Sequence, residues 1–237
     1  MTGIDLLKEA TIVFDLDGTL VESAPDLIAA INSVLVAENL KSLTLEEARP
    51  FISRGARWLL QWGIAKDGIP GPADRTTVLF KRFLNHYSAH IAVESHPFPG
   101  AIDALTAMRQ AGAKLVVCTN KPTGLAHNLL SKLAMADLFD AIVGPDAVTA
   151  AKPHPAHLIE AVQIVGGDLD RAIMVGDSDI DAGAARAAGT HLILVDFGYT
   201  EIPAAELAPD VLLSHFNDLV GACTQLLASG RGHGQCD

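Results

Sequence analysis

The sequence predicts an α/β fold in three layers, with a parallel β-sheet between helices and an all-helical bundle inserted near its start. Residues 11–14 are all β-branched or aromatic, which suits a strand buried on both faces of a parallel sheet. Residues 24–91 show helical periodicity without a convincing strand. From residue 97 onwards strand and helix patterns alternate, as in a parallel sheet covered by helices on both faces.

Four helices are predicted in the inserted bundle, each from its own signal. Thr44 and Glu47 form a capping box at the start of the second helix. A segment with two Pro and two Gly, residues 67–74, separates the third helix from the fourth. The other three helices are marked by apolar faces, which comprise Leu27, Ile31, Val34 and Leu35, then Trp58 and Trp62, then Phe80, Phe83, Leu84, Tyr87 and Ile91.

Strands and helices then follow in turn to the end of the chain. The predicted strands are residues 114–118, 141–143, 172–175, 191–195 and 211–213. Helices are expected before, between and after these strands: one from residue 101 to Gly112, one around 125–133, one around 158–165, one over 180–188, and a closing helix to 227.

Composition restricts the partners and the compartment. The chain has 237 residues, 49% of them hydrophobic, and a net charge of −11, which argues against nucleic acid or an anionic membrane as a partner. No apolar run reaches membrane length, and charged residues interrupt any signal-peptide core near the start. The odd number of cysteines, Cys118, Cys223 and Cys236, predicts a reduced cytoplasmic protein. Residues 229–237 are predicted to be a disordered tail.

Polar residues follow several predicted strands, at the edge where open α/β sheets hold ligands. The groups are Asp15 and Asp17 with Gly18 and Thr19, then Thr119, Asn120 and Lys121, then Asp177, Ser178 and Asp181. Taken singly, each group could also have a purely structural role, as a surface turn, a helix cap or acids that complement a helix N-terminus. A calcium loop fails in both acidic groups, because alanine stands where the bidentate Glu is required. The occurrence of all three groups at strand ends is far more specific than any one group alone.

Charge balance then indicates what the edge could bind. If Asp15, Asp17, Asp177 and Asp181 meet there, each close pair repels by about 4 kcal/mol at an effective dielectric constant near 20. Lys152, between an Ala-rich loop and Pro153, and a divalent cation would together nearly neutralise the cluster. A phosphate ester could then enter.

These residues resemble, motif by motif, the haloacid-dehalogenase-like hydrolase superfamily. The motifs are Asp-x-Asp-Gly-Thr at 15–19, Thr-Asn at 119–120, Lys-Pro at 152–153 and Gly-Asp-Ser-x-x-Asp at 176–181. Segments 53–57, 152–155 and 197–200 look most like the phosphoglycolate phosphatase group, from which Glu22 and Ile180 depart. The resemblance implies a Rossmann-like core of residues 1–21 and 98–237 and a helical cap of residues 22–97.

The resemblance also implies a Mg²⁺-dependent hydrolysis through an aspartyl-phosphate. Asp15 would be the nucleophile and Asp17 the general acid and base. The Mg²⁺ ligands would be the carboxylates of Asp15 and Asp177 and the main-chain carbonyl of Asp17. Thr119, also counted as catalytic, and the Asn120 amide would hold the phosphoryl oxygens. Lys152 would be a catalytic residue that neutralises the nucleophile and the transferring group. Asp181 would orient Lys152 or a metal-bound water, with Ser178 as a further supporting residue.

Several alternatives stay open at this stage. Asp17 favours phosphoryl transfer over dehalogenation, which needs no proton donor there. A phosphomutase and a non-catalytic phosphate-binding module remain less favoured alternatives. Phosphoglycolate is the substrate that we favour. A sugar phosphate, an amino-sugar phosphate and pyrophosphate are the alternative substrates. The oligomeric state is expected to be a monomer or a homodimer.

Substrate specificity is expected to lie in the helical cap. A substrate carboxylate would need a cation, for which Arg54 is the first choice and Arg57 the second. Trp58 and Trp62 are predicted to pack rather than to bind ligand. His154 and His157 lack a third metal ligand and are predicted as surface residues.

Overall fold

The structure is a computed structural model that describes residues 3–66 and 73–229. Most of the predicted Pro- and Gly-rich segment, and the predicted disordered tail apart from Ser229, lie outside the described residues.

Six parallel strands form the central sheet. They are β1 (Thr11–Phe14), β4 (Lys114–Cys118), β5 (Ala141–Val143), β6 (Ala172–Gly176), β7 (His191–Val195) and β8 (Val211–Leu213). Their spatial order is β5-β4-β1-β6-β7-β8. In the register, Phe14 of β1 lies opposite Val117 of β4 and Val175 of β6. The predicted α/β fold is therefore confirmed, and β1 lies at the centre with β4 and β6 beside it.

Helices cover both faces of this sheet. They are α5 (Ala101–Gln110), α6 (Thr123–Lys132), α7 (Pro155–Ile164), α8 (Asp179–Ala188) and α9 (Leu219–Ser229). Alternate residues of the central strands β1, β4, β6 and β7 enter two different apolar clusters. In β1, Ile12 and Phe14 join one cluster, and Val13 joins the other. Because β1 is buried on both faces, its end is held rigidly where the polar residues begin.

The helical insertion lies between two short strands that the sequence analysis did not predict. β2 (Val21–Glu22) and β3 (His96–Pro97) pair antiparallel and join the insertion to the sheet core. Between them lie α1 (Ala24–Ala37), α2 (Leu45–Ala48), α3 (Ala56–Lys66) and α4 (Ala73–Ala89). The capping box predicted for Thr44 and Glu47 is present at the start of α2. Two-residue strands carry too short a pattern to be detected from sequence.

Candidate active site

One pocket lies between the carboxyl edge of the sheet and the helices of the insertion. It is lined from the core by residues that follow β1, β4 and β6, and from the insertion by α1, α3, α4 and the loop before α3. The predicted residues that line it are Asp15, Asp17, Thr119, Asn120, Lys152, Asp177, Ser178 and Asp181. The sheet topology therefore brings together side chains that are up to 166 positions apart, counted from 15 to 181 in the sequence.

Three carboxylates meet at the floor of the pocket. Asp15, Asp177 and Asp181 each offer an oxygen atom within 4.8 Å of the others. Burial raises the pKa of Asp15 to about 6 from 3.8, despite the opposing charge of Lys152. Burial, together with the charges of Asp181 and Asp15, also raises the pKa of Asp177 well above its usual range. Without a further cation, this cluster disfavours its own ionised form.

Lys152 is the cation that the cluster already contains. Its Nζ donates to Asp15 Oδ1 at 2.8 Å and to Asp181 Oδ1 at 2.7 Å, and its side chain is only 2% exposed. Burial by itself would lower the pKa of Lys152, but the two carboxylates outweigh burial and hold the pKa above its usual value. Lys152 therefore remains charged beside the predicted nucleophile.

Asp181 is fixed by the first turn of α8. Its Oδ2 accepts hydrogen bonds from the main-chain N–H of Asp177 and of Ser178 and from the Ser178 hydroxyl. Ser178 and Asp181 thus form the capping box of α8. Asp181 in turn holds Lys152, so the capping box connects the start of α8 to the buried lysine.

Asp177 is held from two directions. Thr19 Oγ1 donates to Asp177 Oδ1 at 3.1 Å, and the main-chain N–H of Tyr199 donates to Oδ2 at 2.5 Å. Gly18 has a φ of +89°, and a Cβ there would lie 2.5 Å from Asp177 Oδ2. Glycine at position 18 is therefore required both by the backbone angle and by the approach of Asp177.

Asp17 lies apart from the three clustered carboxylates. Its side chain accepts hydrogen bonds from Ser23 Oγ at 2.5 Å and from Lys121 Nζ at 2.6 and 2.7 Å. All four carboxylates line this one pocket, but only Asp15, Asp177 and Asp181 form the close cluster, because the loop after β1 turns the Asp17 side chain towards Lys121. The predicted metal ligand in Asp17 is its main-chain carbonyl, so that prediction is compatible with this orientation.

The residues after β4 line the side of the pocket. Thr119 is buried, and its Oγ1 accepts a hydrogen bond from the Lys121 main-chain N–H at 3.1 Å. Asn120 donates through Nδ2 to the Lys152 main-chain carbonyl at 2.9 Å. Asn120 therefore connects the segment after β4 to the loop that carries Lys152.

Arg54, the first choice for a substrate carboxylate, does not join the other site residues. Its Nε lies 2.6 Å from Glu201 Oε1, and its guanidinium lies over the Trp58 ring, outside the described pocket lining. Arg57, the second choice, does line the pocket, with its guanidinium 4.2 Å from the centroid of Phe80. Trp58 and Trp62 stack on each other, as the packing prediction expects.

His157 is buried, so its prediction as a surface residue is wrong. Its Nδ1 accepts a hydrogen bond from the Lys152 main-chain N–H at 3.2 Å, and its Nε2 lies 3.1 Å from the Val143 carbonyl. His154, in contrast to His157, is exposed, and its side chain caps the start of α7. No sequence pattern around His157 indicated that it would accept a hydrogen bond from the Lys152 main chain.

Two further side chains around the site were missed as functional candidates. The Tyr87 hydroxyl of α4 accepts a hydrogen bond from Lys121 Nζ at 2.9 Å. The Tyr199 hydroxyl donates to Glu22 and accepts from the main-chain N–H of Ser23 and Ala24, at the start of α1. Tyr199 belongs to the segment 197–200, which carries part of the family resemblance, and this resemblance could have indicated a role for it.

The residues present fit a hard divalent cation. Mg²⁺ takes oxygen ligands, and the buried carboxylates of Asp15 and Asp177 supply them beside a main-chain carbonyl. Burial and the neighbouring carboxylates raise the pKa of both acids, and a divalent ion bound there would favour their ionised forms. No helix among the described residues is long and apolar enough to cross a membrane.

Together, the fold and this site define a Rossmann-like α/β protein with an acidic, lysine-neutralised site at the carboxyl ends of its strands. The family model described as haloacid dehalogenase-like hydrolase matches residues 12–195. The chain belongs to this family.

Curated relatives are similar along nearly the whole chain. A phosphoglycolate phosphatase of Caulobacter vibrioides is 48% identical over 229 residues, which cover 97% of each chain. A phosphoglycolate phosphatase of Agrobacterium fabrum is 41% identical over 92% of this chain and 93% of its own. A crystal structure of a predicted phosphoglycolate phosphatase from Haemophilus somnus has a TM-score of 0.85 at 29% identity, covering 91% of this chain and 98% of its own.

Proposed function

We propose that this chain is a Mg²⁺-dependent phosphatase that hydrolyses phosphoglycolate, a small phosphate monoester, through an aspartyl-phosphate. The observation that carries the proposal is the contact of Lys152 with Asp15 and Asp181 on the floor of the pocket, with Asp177 alongside. A carboxylate that lies next to a buried ammonium and to further metal-type ligands can approach a phosphoryl group without repelling it.

Two displacements complete the reaction. A carboxylate oxygen of Asp15 attacks phosphorus, the ester P–O bond breaks, and the leaving oxygen takes a proton from Asp17. Asp17 then removes a proton from water, whose oxygen attacks phosphorus and breaks the bond to Asp15. Inorganic phosphate leaves and both aspartates return to their starting state.

The other residues stabilise charge during these steps. Lys152 neutralises Asp15 and the phosphoryl oxygens, and Thr119 and the Asn120 amide, which also line the pocket, would hold those oxygens. Mg²⁺ held by Asp15, Asp177 and the Asp17 main-chain carbonyl would supply Lewis-acid stabilisation of the phosphoryl oxygens. Asp181 and Ser178 act indirectly, because they fix the position of Lys152.

The names of the relatives support the choice of substrate. The Caulobacter vibrioides and Agrobacterium fabrum relatives are both phosphoglycolate phosphatases. The CbbY protein of Rhodobacter sphaeroides, solved in complex with phosphate, has a TM-score of 0.77 at 26% identity, covering 92% of this chain and 99% of its own. A cytoplasmic location is part of the proposal, and the buried free thiols of Cys118 and Cys223 support a reducing compartment.

Phosphate release from phosphoglycolate and from p-nitrophenyl phosphate tests the proposal. We expect release that requires added Mg²⁺ and that falls below detection in Asp15→Asn, because an amide cannot form the phosphoenzyme. Acid quenching of the parent enzyme with labelled substrate should trap label on the protein, and the variant should trap none. Undiminished turnover in Asp15→Asn would reject Asp15 as the nucleophile.

A further inference from the structure

We infer that Lys121 is the specificity-determining residue that binds the carboxylate of the substrate. The inference rests on the proposed function and deepens it. It predicts a preference for phosphate monoesters that carry a carboxylate one carbon away from the ester oxygen.

The first step concerns the position of the ester oxygen. If Asp17 protonates the leaving oxygen, that oxygen must lie within about 3 Å of the Asp17 carboxyl group. In phosphoglycolate a single methylene joins the ester oxygen to the carboxylate, so bond lengths place the carboxylate oxygens about 3 to 4 Å from the ester oxygen. The substrate carboxylate must therefore lie in the immediate surroundings of Asp17.

The second step identifies the cation in those surroundings. Lys121 Nζ lies 2.6 and 2.7 Å from the two oxygens of Asp17, and its side chain is 5% exposed. These two contacts are an ion pair between a buried ammonium and the Asp17 carboxylate. A substrate carboxylate can replace one Asp17 oxygen at this ammonium, which would also free that oxygen for proton transfer.

The third step compares the other cations near the pocket. Lys152 already contacts Asp15 and Asp181, and Arg54 is paired with Glu201 outside the pocket lining. Arg57 lines the pocket, but its guanidinium lies against the Phe80 ring of the insertion. Lys121 is the one among these cations that directly contacts the predicted proton donor.

The fourth step concerns how Lys121 is held. Its Nζ also lies 2.9 Å from the hydroxyl of Tyr87, which belongs to α4 of the insertion and is stacked on Phe83. The ammonium is therefore fixed from the core by Asp17 and from the insertion by Tyr87. A buried cation fixed in this way loses little side-chain entropy when it binds a carboxylate.

The test compares two substrates that differ in one group. Phosphoglycolate and 2-hydroxyethyl phosphate have the same chain length, but the second carries a neutral hydroxyl in place of the carboxylate. We would measure kcat/KM for both with the parent enzyme, Lys121→Met, Arg57→Met and, as a charge control, Lys132→Met on the exposed end of α6. Lys121→Gln is a second variant that keeps a donor for Asp17 without the charge.

The expected result is a change in the ratio of the two kcat/KM values. The parent and Lys132→Met should prefer phosphoglycolate, and this preference should fall about ten- to a hundred-fold in Lys121→Met and Lys121→Gln, as for loss of a hydrogen bond between charged groups. Arg57→Met should keep most of the preference.

Three results would overturn the inference. Equal losses on both substrates in the two Lys121 variants would show that Lys121 acts on Asp17 alone. A selective loss in Arg57→Met, with the preference retained in Lys121→Gln, would assign the carboxylate to Arg57. A parent enzyme that hydrolyses both esters without preference would reject the inference and leave the phosphatase proposal standing, whereas a parent that hydrolyses neither ester, nor p-nitrophenyl phosphate, would reject the phosphatase itself.

Discussion

The buried His157 predicts a specific loss of stability in acid. Its pKa is lowered from 6.5 to about 4, first by burial and then by the charge of Lys152. Between these two values the unfolded chain binds a proton that the folded protein does not bind, so the free energy of unfolding must fall as the pH falls through this window. Protonation at Nδ1 would also remove the acceptor of the Lys152 main-chain N–H.

The size of this effect follows from the two pKa values. Relative to pH 7, linkage with values of 6.5 and about 4 costs the folded state about 2 kcal/mol at pH 4.5. His157→Leu removes the titrating group, so this part of the acid sensitivity should disappear. At pH 7 the variant should instead lose about 1 to 3 kcal/mol, since the Lys152 N–H loses its partner. The Val143 carbonyl keeps a hydrogen bond from the Thr119 N–H.

Urea unfolding at pH 7 and pH 4.5 measures both effects. The quantity to compare is the change in unfolding free energy between the two pH values, because other acids titrate in all variants alike. His154→Asn is the matched control, since His154 is exposed and Asn also suits the N-cap position that His154 occupies. An equal loss between pH 7 and pH 4.5 in the parent and in His157→Leu would refute the reasoning.

Three further predictions concern the metal site and the connection to the insertion. Mg²⁺ at a hundred times its dissociation constant should raise the free energy of unfolding of the parent by about 2.7 kcal/mol, measured by thermal unfolding. In Asp177→Asn this increase should vanish. Without metal, the Asp177→Asn variant should be more stable than the parent. Gly198→Ala should weaken Mg²⁺ binding in calorimetry, because its Cβ would lie 2.2 Å from Asp177 Cβ, and unchanged affinity would contradict this. Tyr199→Phe should lower the unfolding free energy by about 1 to 3 kcal/mol, since Glu22 loses a buried partner; no loss in urea unfolding would contradict this.

Local patterns predicted secondary structure in both the core and the insertion. The apolar run before Asp15 and the capping residues Thr44 and Glu47 act over a few positions, so each could be interpreted without its tertiary neighbours. The two-residue strands β2 and β3 could not be found, because their pairing depends on chain segments about 75 residues apart, counted from 22 to 96.

The candidate site was predictable where strand ends fix it. Parallel strands end at one edge, so Asp15, Thr119 and Asp177 had to lie near one another once the sheet was assumed. The partners of long side chains were not predictable in this way. Arg54 and Lys121 are both flexible cations. Arg54 pairs with Glu201 across the contact between the insertion and the core, whereas Lys121 pairs with Asp17 inside the core and also contacts Tyr87 of the insertion.

The sequence by itself determined that acids and a lysine follow the strands of a parallel sheet, since hydrophobic periodicity and chain order set which residues stand at strand ends. Only the tertiary structure decided that Asp17 turns to Lys121 and that His157 supports Lys152 from inside the protein. Those contacts depend on side-chain direction and on burial by distant segments. Neither quantity is encoded within the few residues around each position.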